Sequence, residues 1–285
     1  MKKIYGKIYA VIPKERAVII KTKKQLKTLF LTRKAFKDFG PYFINKPYIF
    51  AYIYEEPKNV GLKKGYEVYS IIKIVQTNIH HPKIFYDLSV IRRGVKSLLE
   101  RIENKLFIDL EFTLPPYNQS VRHIPEIIQY GIILEDKDGN IILEDSSLVK
   151  TQKKRSLNVR TLKFLSKNKE DFKNACTYLE FYNMLKEIIN QYDAKIIAWG
   201  KNDILILERS FELHQVEPLD FRSRYINLMQ IIKNYHNIKN DLGLFTTYEL
   251  LTNQKINKQK HDAFEDALLA REIYHLFKQQ IFEDE

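Results

Sequence analysis

The stretch Leu106-Phe107-Ile108-Asp109-Leu110-Glu111-Phe112-Thr113 sets two carboxylates two residues apart inside an otherwise apolar run. Such a run reads as a buried β-strand, and residues i and i+2 of a strand point to one face, so Asp109 and Glu111 share a side. Two like charges brought together inside a sheet lose solvation and repel each other. A divalent cation between them relieves both costs, and oxygen ligands of this hardness suit Mg²⁺ or Mn²⁺ better than Zn²⁺. Taken alone, the stretch also fits a strand whose carboxylates meet solvent or lysines.

With 285 residues, 45% hydrophobic, the chain has enough apolar material for two packed domains. Its one cysteine, Cys176, excludes a disulfide framework or a cysteine metal cluster within one chain and suits a reducing cytoplasm. No apolar block of signal-peptide length follows Met1-Lys2-Lys3, and no run approaches the ~20 apolar residues of a membrane span. The expectation is a soluble, cytoplasmic protein without a membrane role. The formal net charge is +12, and it is unevenly spread: residues 1–105 carry 23 Lys+Arg against 8 Asp+Glu, the rest 24 against 27. A polyanionic partner follows, with the basic part gripping a phosphate backbone and the acidic part carrying metal chemistry.

In the basic part, residues 4–12 and 16–22 are β-rich runs separated by Pro13-Lys14-Glu15, a hairpin pattern. Further runs follow at Thr28–Leu31, Tyr48–Tyr54 and Tyr66–Val75, punctuated by Gly40-Pro41, Glu56-Pro57 and Gly61 to Gly65. Five short strands with an insertion between the third and fourth fit a small all-β Greek-key barrel over 1–77. The pattern resembles an OB-fold of the cold-shock type, although Ala17, Val18, Ile19 and Ile20 stand where that type carries aromatic residues on its second strand. Lys7, Phe30 and Arg33 are the candidate nucleic-acid contacts here; taken one at a time, Tyr5, Tyr9, Phe30 and Tyr52 read first as ordinary core or surface rings. Residues 78–103 read as a linker (78–86, with His80-His81 as exposed linker residues) and an amphipathic helix over 88–103. In the helix Leu88, Ile91, Val95, Leu98 and Ile102 recur at spacings of three and four.

From 104 to 285 the pattern turns to mixed α/β. Glu126–Leu134 reads as a second strand, Lys137-Asp138-Gly139-Asn140 as a hairpin turn, and Ile141–Leu143 as a third strand. A long amphipathic helix is expected from Phe172 to Tyr192, then a short buried strand at 195–200. Helices are expected to begin near Asn202-Asp203 and Leu228, and a last one to run from Ala263 to Gln280. Antiparallel strands followed by alternating helices and strands make a mixed α/β sheet. Asp203 lies just past a strand's carboxyl end, where α/β sheets place ligands, and His261 precedes the last helix, whose first turns carry Asp266. Singly, Asp203 reads as a helix cap and His261 as a surface histidine.

Together, Phe-Ile-Asp109-Leu-Glu111-Phe-Thr, Glu126-Ile-Ile-Gln-Tyr-Gly, Trp-Gly-Lys-Asn-Asp203 and His261-Asp-Ala-Phe-Glu-Asp266-Ala, in this order, resemble the DEDDh family of 3′→5′ exonucleases, most of all its exoribonuclease branch, over roughly residues 104–281. The resemblance implies a ribonuclease-H-like fold with flanking helices. It further implies that Asp109, Glu111, Asp203 and Asp266 bind two divalent cations, Mg²⁺ or Mn²⁺, and that His261 acts as general base. It allows Glu126 to support its strand or to contact the terminal nucleotide's hydroxyl. Leu110 and Phe112 are further candidates for the terminal base, with core roles as the alternative. Asp262 and Glu265 read as solvated acids at a helix start. The chain departs from the family at Leu157 to Lys169, where many relatives carry a Leu-Thr-Gly-Ile-type segment.

Phosphodiester hydrolysis needs an activated water and a stabilised leaving 3′-oxygen, which a pair of metals supplies. An imidazole, largely neutral near pH 7, can accept the water's proton. The expected activity is therefore 3′→5′ exonucleolytic release of 5′-mononucleotides from single-stranded nucleic acid, RNA preferred. The alternatives are a catalytically idle nucleic-acid-binding regulator and a DNA proofreading exonuclease working with a polymerase.

Overall fold

Alternation of inward apolar and outward polar side chains builds the first sheet. In β1 (Lys2–Ile12), Ile4, Gly6 and Ile8 are buried while Lys3, Tyr5, Lys7 and Tyr9 are exposed. The computed structural model describes residues 1–61, 63–77, 83–117, 123–153, 155–256 and 261–283, which divide into two units, 1–95 and 96–285. In the first, β1 pairs antiparallel with β2 (Ala17–Lys21) and β4 (Tyr48–Val60). β2 pairs with β3 (Leu26–Phe30), and β4 with β5 (Lys63–Gln76). Parallel pairing of Leu29 with Tyr66 and of Phe30 with Glu67 joins β3 to β5 and closes the five-stranded barrel. The insertion after β3 is α1 (Arg33–Phe39), capped by the Thr32 hydroxyl.

Two expectations for this unit change. Residues 83–86, read as linker, form a strand, β6 (Lys83–Tyr86), on the edge of β5; His80 and His81 lie outside the described residues. Phe30 is only 5% exposed and packs where β3 meets β5, so close that a Cβ on Gly65 would stand 2.7 Å from its ring. It is a core ring at the barrel's closure, not a nucleic-acid contact. The helix expected over 88–103 is α2 (Leu88–Glu100), opened by the Asp87 carboxylate, which accepts from the Ser89 amide.

The second unit holds a mixed five-stranded sheet. β7 (Lys105–Phe112), β8 (Ile127–Glu135) and β9 (Ile141–Leu148) run antiparallel; β10 (Lys195–Ala198) and β11 (Tyr225–Asn227) are added parallel to β7, in the order β11-β10-β7-β8-β9. Helices α3 (Val159–Leu165), α4 (Tyr178–Tyr192), α5 (Asn202–His214), α6 (Leu228–His236), α7 (Leu244–Thr252) and α8 (Ala263–Glu283) complete it. The long helix begins at Tyr178, not Phe172, because Thr177 and Glu180 form a reciprocal cap there, while Phe172 lies in a separate 3₁₀ turn capped by Asn168 and Asp171. β9 runs five residues past Leu143. Strand β11 and helices α3 and α7 were not anticipated; three, seven and nine residues long, they are shorter than the stretch over which a hydrophobic period stands out.

β7 divides its side chains between two layers. Leu106, Ile108 and Leu110 enter a core with α4 and α5, while Phe107 packs edge-on against Tyr274 of α8, 5.5 Å between centroids. Asp109 and Glu111 share the side of Phe107. α8 lies close on this side because small residues, Ala263, Ala267 and Ala270, face the sheet and because residue 131 is glycine: a Cβ there would stand 2.3 Å from the Ala263 carbonyl oxygen. Further along α8, Arg271 and His275 meet the fully buried Glu135 carboxylate at 2.6 and 2.8 Å, and Lys105 meets it at 3.1 Å. Burial pushes Glu135 up, but the hydrogen bond with His275 and the nearby Lys105 outweigh this and hold it below the usual carboxylate range. Gly131→Ala is expected to cost about 1–3 kcal/mol of stability through overpacking, measured by urea unfolding; a variant as stable as the parent would show that α8 can retreat without loss.

Candidate active site

Strand parity and one short neighbour set up the site. β10 pairs with β7 along Lys105–Phe107, so beyond Phe107 the β10 edge of β7 has no strand partner among the described residues. Asp203, in the first turn of α5, fills that place: its Oδ1 accepts from the Leu110 amide at 3.1 Å. The turn between β10 and α5 passes through Gly200 at φ +94°, a conformation glycine adopts without strain. Asp203 is thereby bonded to the backbone link between Asp109 and Glu111.

On the other side, Asp109 stands opposite Gly131 and Glu111 opposite Gln129. Gln129 Nε2 donates to Asp262 Oδ2 at 2.9 Å, and Asp262 Oδ1 caps α8 by accepting from the Phe264 amide at 3.1 Å. Asp262 is therefore half-buried and engaged at both oxygens, not the solvated acid its position suggested. Its bonds fix the start of α8, so that Asp266, one turn on, turns toward β7. Ligand atoms of Glu111, His261 and Asp266 all lie within 4.8 Å of one another, and His261 Nδ1 is 3.8 Å from Glu111 Oε1.

The acids raise one another. Burial pushes Glu111 up to about 8, aided by Asp266 and Asp203. Burial likewise brings Asp266 up to about 6, with Asp262 and Glu265 adding to it. Asp203 also rises to about 6 by burial, against the hydrogen bonds from its own amide and that of Leu110. Asp109 lies well above its ordinary range, through burial first and then Asp203, Asp266 and Glu111. A cluster of carboxylates that disfavours its own ionisation, with an imidazole at its rim, fits a divalent cation held by hard oxygen donors.

His261 is exposed, and its ring stacks on Phe164 of α3 at 4.1 Å between centroids and 19° between planes. Phe164 packs in turn against the small core of Ile128, Leu165, Phe172 and Ala175. Sequence reading missed it: α3 occupies the Leu157–Lys169 segment where the chain departs from the family pattern, and the only signal there was the capping spacing Asn158-x-x-Thr161. Glu126 is 1% exposed, and its carboxylate accepts from the Gln152 amide at 2.6 Å and from the Ser156 hydroxyl. It thus holds the loop leading into α3, a role different from the strand support and the nucleotide contact considered for it. Leu110 is a core side chain, 3% exposed, that contributes its amide rather than its side chain to the site, a correction to its place among terminal-base contacts. Phe112 is half-buried against the same core. Lys7 and Arg33 belong to the first unit and are exposed there.

No family model matches the sequence. The chain is 27% identical over 175 residues, 61% of its own length and 84% of the relative's, to a probable 3′-5′ exonuclease KapD of Bacillus subtilis strain 168. Among solved structures it is similar to the nuclease domain of 3′hExo, a DEDDh family member bound to rAMP, at a TM-score of 0.55 and 16% identity over 63% of this chain and 93% of that one. The fold is that of the DEDDh exonucleases. A 3′-exonuclease in specific recognition of the 3′ end of a histone mRNA stem-loop also matches, with a TM-score of 0.56 and 14% identity over 63% of this chain; the match spans 65% of that protein. Exonuclease I of E. coli in complex with a dA16 oligonucleotide matches at 0.50 and 16% over 64% of this chain and 42% of that one. The five acidic and histidine positions of the motif are those that β7, α5 and the start of α8 bring together.

A carboxyl raised by folding binds its proton more tightly folded than unfolded. The stability it permits is therefore full below the unfolded values of 3.8 to 4.5 and is lost as pH climbs through about 6 for Asp203 and Asp266 and about 8 for Glu111. Metal-free protein is accordingly expected to show a Tm that falls between pH 5 and 8, and added Mn²⁺ to raise Tm more at pH 8 than at pH 5. A flat metal-free profile with no Mn²⁺ effect would mean that these carboxylates are not clustered in solution.

Proposed function

We propose that the chain is a divalent-metal-dependent 3′→5′ exonuclease that releases 5′-mononucleotides from single-stranded nucleic acid, RNA preferred. The observation that carries this reading is the convergence of Asp109, Glu111, Asp203 and Asp266 with His261 on the α8 side of β7, in the fold of enzymes that do this work. Asp109, Glu111, Asp203 and Asp266 would hold a pair of Mg²⁺ or Mn²⁺ ions, which supply Lewis-acid polarisation of the scissile phosphate and acidify the attacking water. The residues do the rest. Asp203 keeps β7 and α5 in register through the Leu110 amide, and Asp262 with Gln129 fixes the helix start that presents Asp266. His261, exposed at the rim and steadied by Phe164, takes the proton of the attacking water and returns it to solvent.

Preference for RNA draws on the neighbours bound to a histone mRNA stem-loop and to rAMP; the neighbour bound to dA16 supports a DNA substrate as the second reading. The basic first unit supports a polyanionic substrate in either case, and the single free cysteine supports a reducing, cytoplasmic setting.

The test is a 5′-labelled single-stranded 20-mer, as RNA and as DNA, incubated with Mg²⁺ or Mn²⁺. The expected result is a ladder shortening from the 3′ end, faster on RNA and abolished by EDTA. Failure to shorten either oligomer with either metal would overturn the proposal. Asp109→Asn is expected to lower kcat by at least about 10³-fold with no loss of Tm, and Phe164→Ala to lower kcat by about 10-fold or more with KM little changed, since an unsupported general base forfeits part of a contribution of order 10²–10⁴. Phe164→Ala turnover equal to the parent's would show that the stacking does not position His261.

A further inference from the structure

The barrel carries one outer face whose composition departs from an ordinary solvated sheet. Outward positions of β1 are Lys3, Tyr5, Lys7 and Tyr9; those of β4 are Tyr48, Phe50, Tyr52 and Tyr54. Their register pairs a ring with a lysine or another ring at each step: Lys3 opposite Tyr52, Tyr5 opposite Phe50, Lys7 opposite Tyr48. On the next strand, Lys73 stands opposite Phe50 with its ammonium 4.9 Å from the ring centroid. Tyr69 meets Tyr54 edge-on at 5.8 Å. Tyr5 stacks on Phe50 at 5.4 Å and 10°, and Lys46 lies 5.8 Å over Tyr9. Tyr5, Tyr9, Tyr52, Tyr54 and Tyr69 keep between 38% and 55% of their surface exposed. No acidic residue occurs anywhere in β1 or between Tyr48 and Tyr54 of β4.

Aromatic residues favour strands, so a single exposed tyrosine carries no message. A contiguous exposed patch does, since such patches mark interaction sites; lysines interleave with its rings, and the acids at its end, Glu55 and Glu67, are paired with the N-terminal ammonium and Lys58. Lysines alone would serve any polyanion. Exposed rings add faces on which planar, uncharged groups can lie, and a chain that offers both a repeating negative charge and repeating planar groups is a single-stranded nucleic acid, whose bases are free of a complementary strand.

We infer that the β1–β4–β5 face of the barrel is a base-stacking platform for single-stranded nucleic acid, with Tyr5, Tyr9, Tyr52 and Tyr54 taking the bases and Lys3, Lys7 and Lys73 the phosphates. This rests on the nucleic-acid reading above and deepens it by naming the surface and the groups it grips. Such binding is tolerant of sequence, because every base has a planar face.

The test is fluorescence anisotropy with the 285-residue chain in EDTA, where hydrolysis cannot intervene, using labelled single-stranded 12-mers of RNA and DNA and a 12-mer of abasic sugar-phosphate. Expected are tighter binding of the base-bearing oligomers than of the abasic one by about 10-fold or more, and loss of that preference in Tyr5→Ala/Tyr52→Ala with abasic affinity unchanged. Tyr5→Phe/Tyr52→Phe is expected to keep it, since the ring and not the hydroxyl stacks. Lys3→Ala/Lys7→Ala is expected to weaken all three oligomers alike and to flatten the salt dependence. Equal binding of abasic and base-bearing strands, or a Tyr→Ala pair that is folded by circular dichroism and binds like the parent, would overturn the inference. So would sedimentation showing that the parent is a dimer and the Tyr→Ala pair a monomer, which would make the face a self-association surface. Because no turnover is measured, a negative result here leaves the exonuclease assay to stand or fall by itself.

Discussion

The site depends on how closely α8 can approach β8. A helix normally rests on a sheet through side chains of both; at Gly131 the sheet offers none, and the backbone at Ala263–Phe264 occupies the space a Cβ would fill. That contact lies opposite Asp109. It lowers the start of α8 onto the face of the sheet, where Asp262 is caught by Gln129, Asp266 faces Glu111, and His261 reaches the rim. The remaining acid arrives from the other side, because β10 stops short and leaves the Leu110 amide for Asp203. Two backbone facts, an absent side chain and an absent strand partner, thus gather residues from three segments.

Such a gathering is unfavourable for the bare protein. Each acid is raised by burial and by its neighbours, Glu111 furthest among those with a definite value. Folded proteins keep self-opposed charge of this kind where function requires it, and clustered, perturbed carboxylates fit a cation-binding centre. The rest of the unit supplies the compensation: a continuous apolar core on the far side of β7, and the buried Glu135, held by Lys105, Arg271 and His275, which anchors α8 a few turns beyond the site.

Much of this was legible in the sequence where one residue's type fixed its partner. Alternation in 106–113 put Asp109 and Glu111 on one face, and the order of motifs through Asp203, His261 and Asp266 pointed to the family and so to the fold. What escaped notice depends on three-dimensional packing. Phe164 looks like any aromatic in a short helix until His261 is seen lying on it. Asp262 looks like a free acid until Gln129, 133 residues away in sequence, binds it. Phe30 carried the right residue type for stacking but is covered where β3 meets β5, its ring lying against Gly65 while Leu29 and Leu31 on either side fill the barrel core. The exposed tyrosines, unremarkable one by one, acquire meaning only from the β1–β4 register that sets them side by side.

The claim beneath all of this is that the clustered carboxylates, raised by burial and by one another, form a site for divalent cations. Calorimetric titration of metal-free protein with Mn²⁺ at pH 7, repeated in two buffers of different ionisation enthalpy, tests it most directly. The account predicts saturable uptake of two equivalents with net release of protons to the buffer. Uptake without proton release, or no uptake, would contradict it.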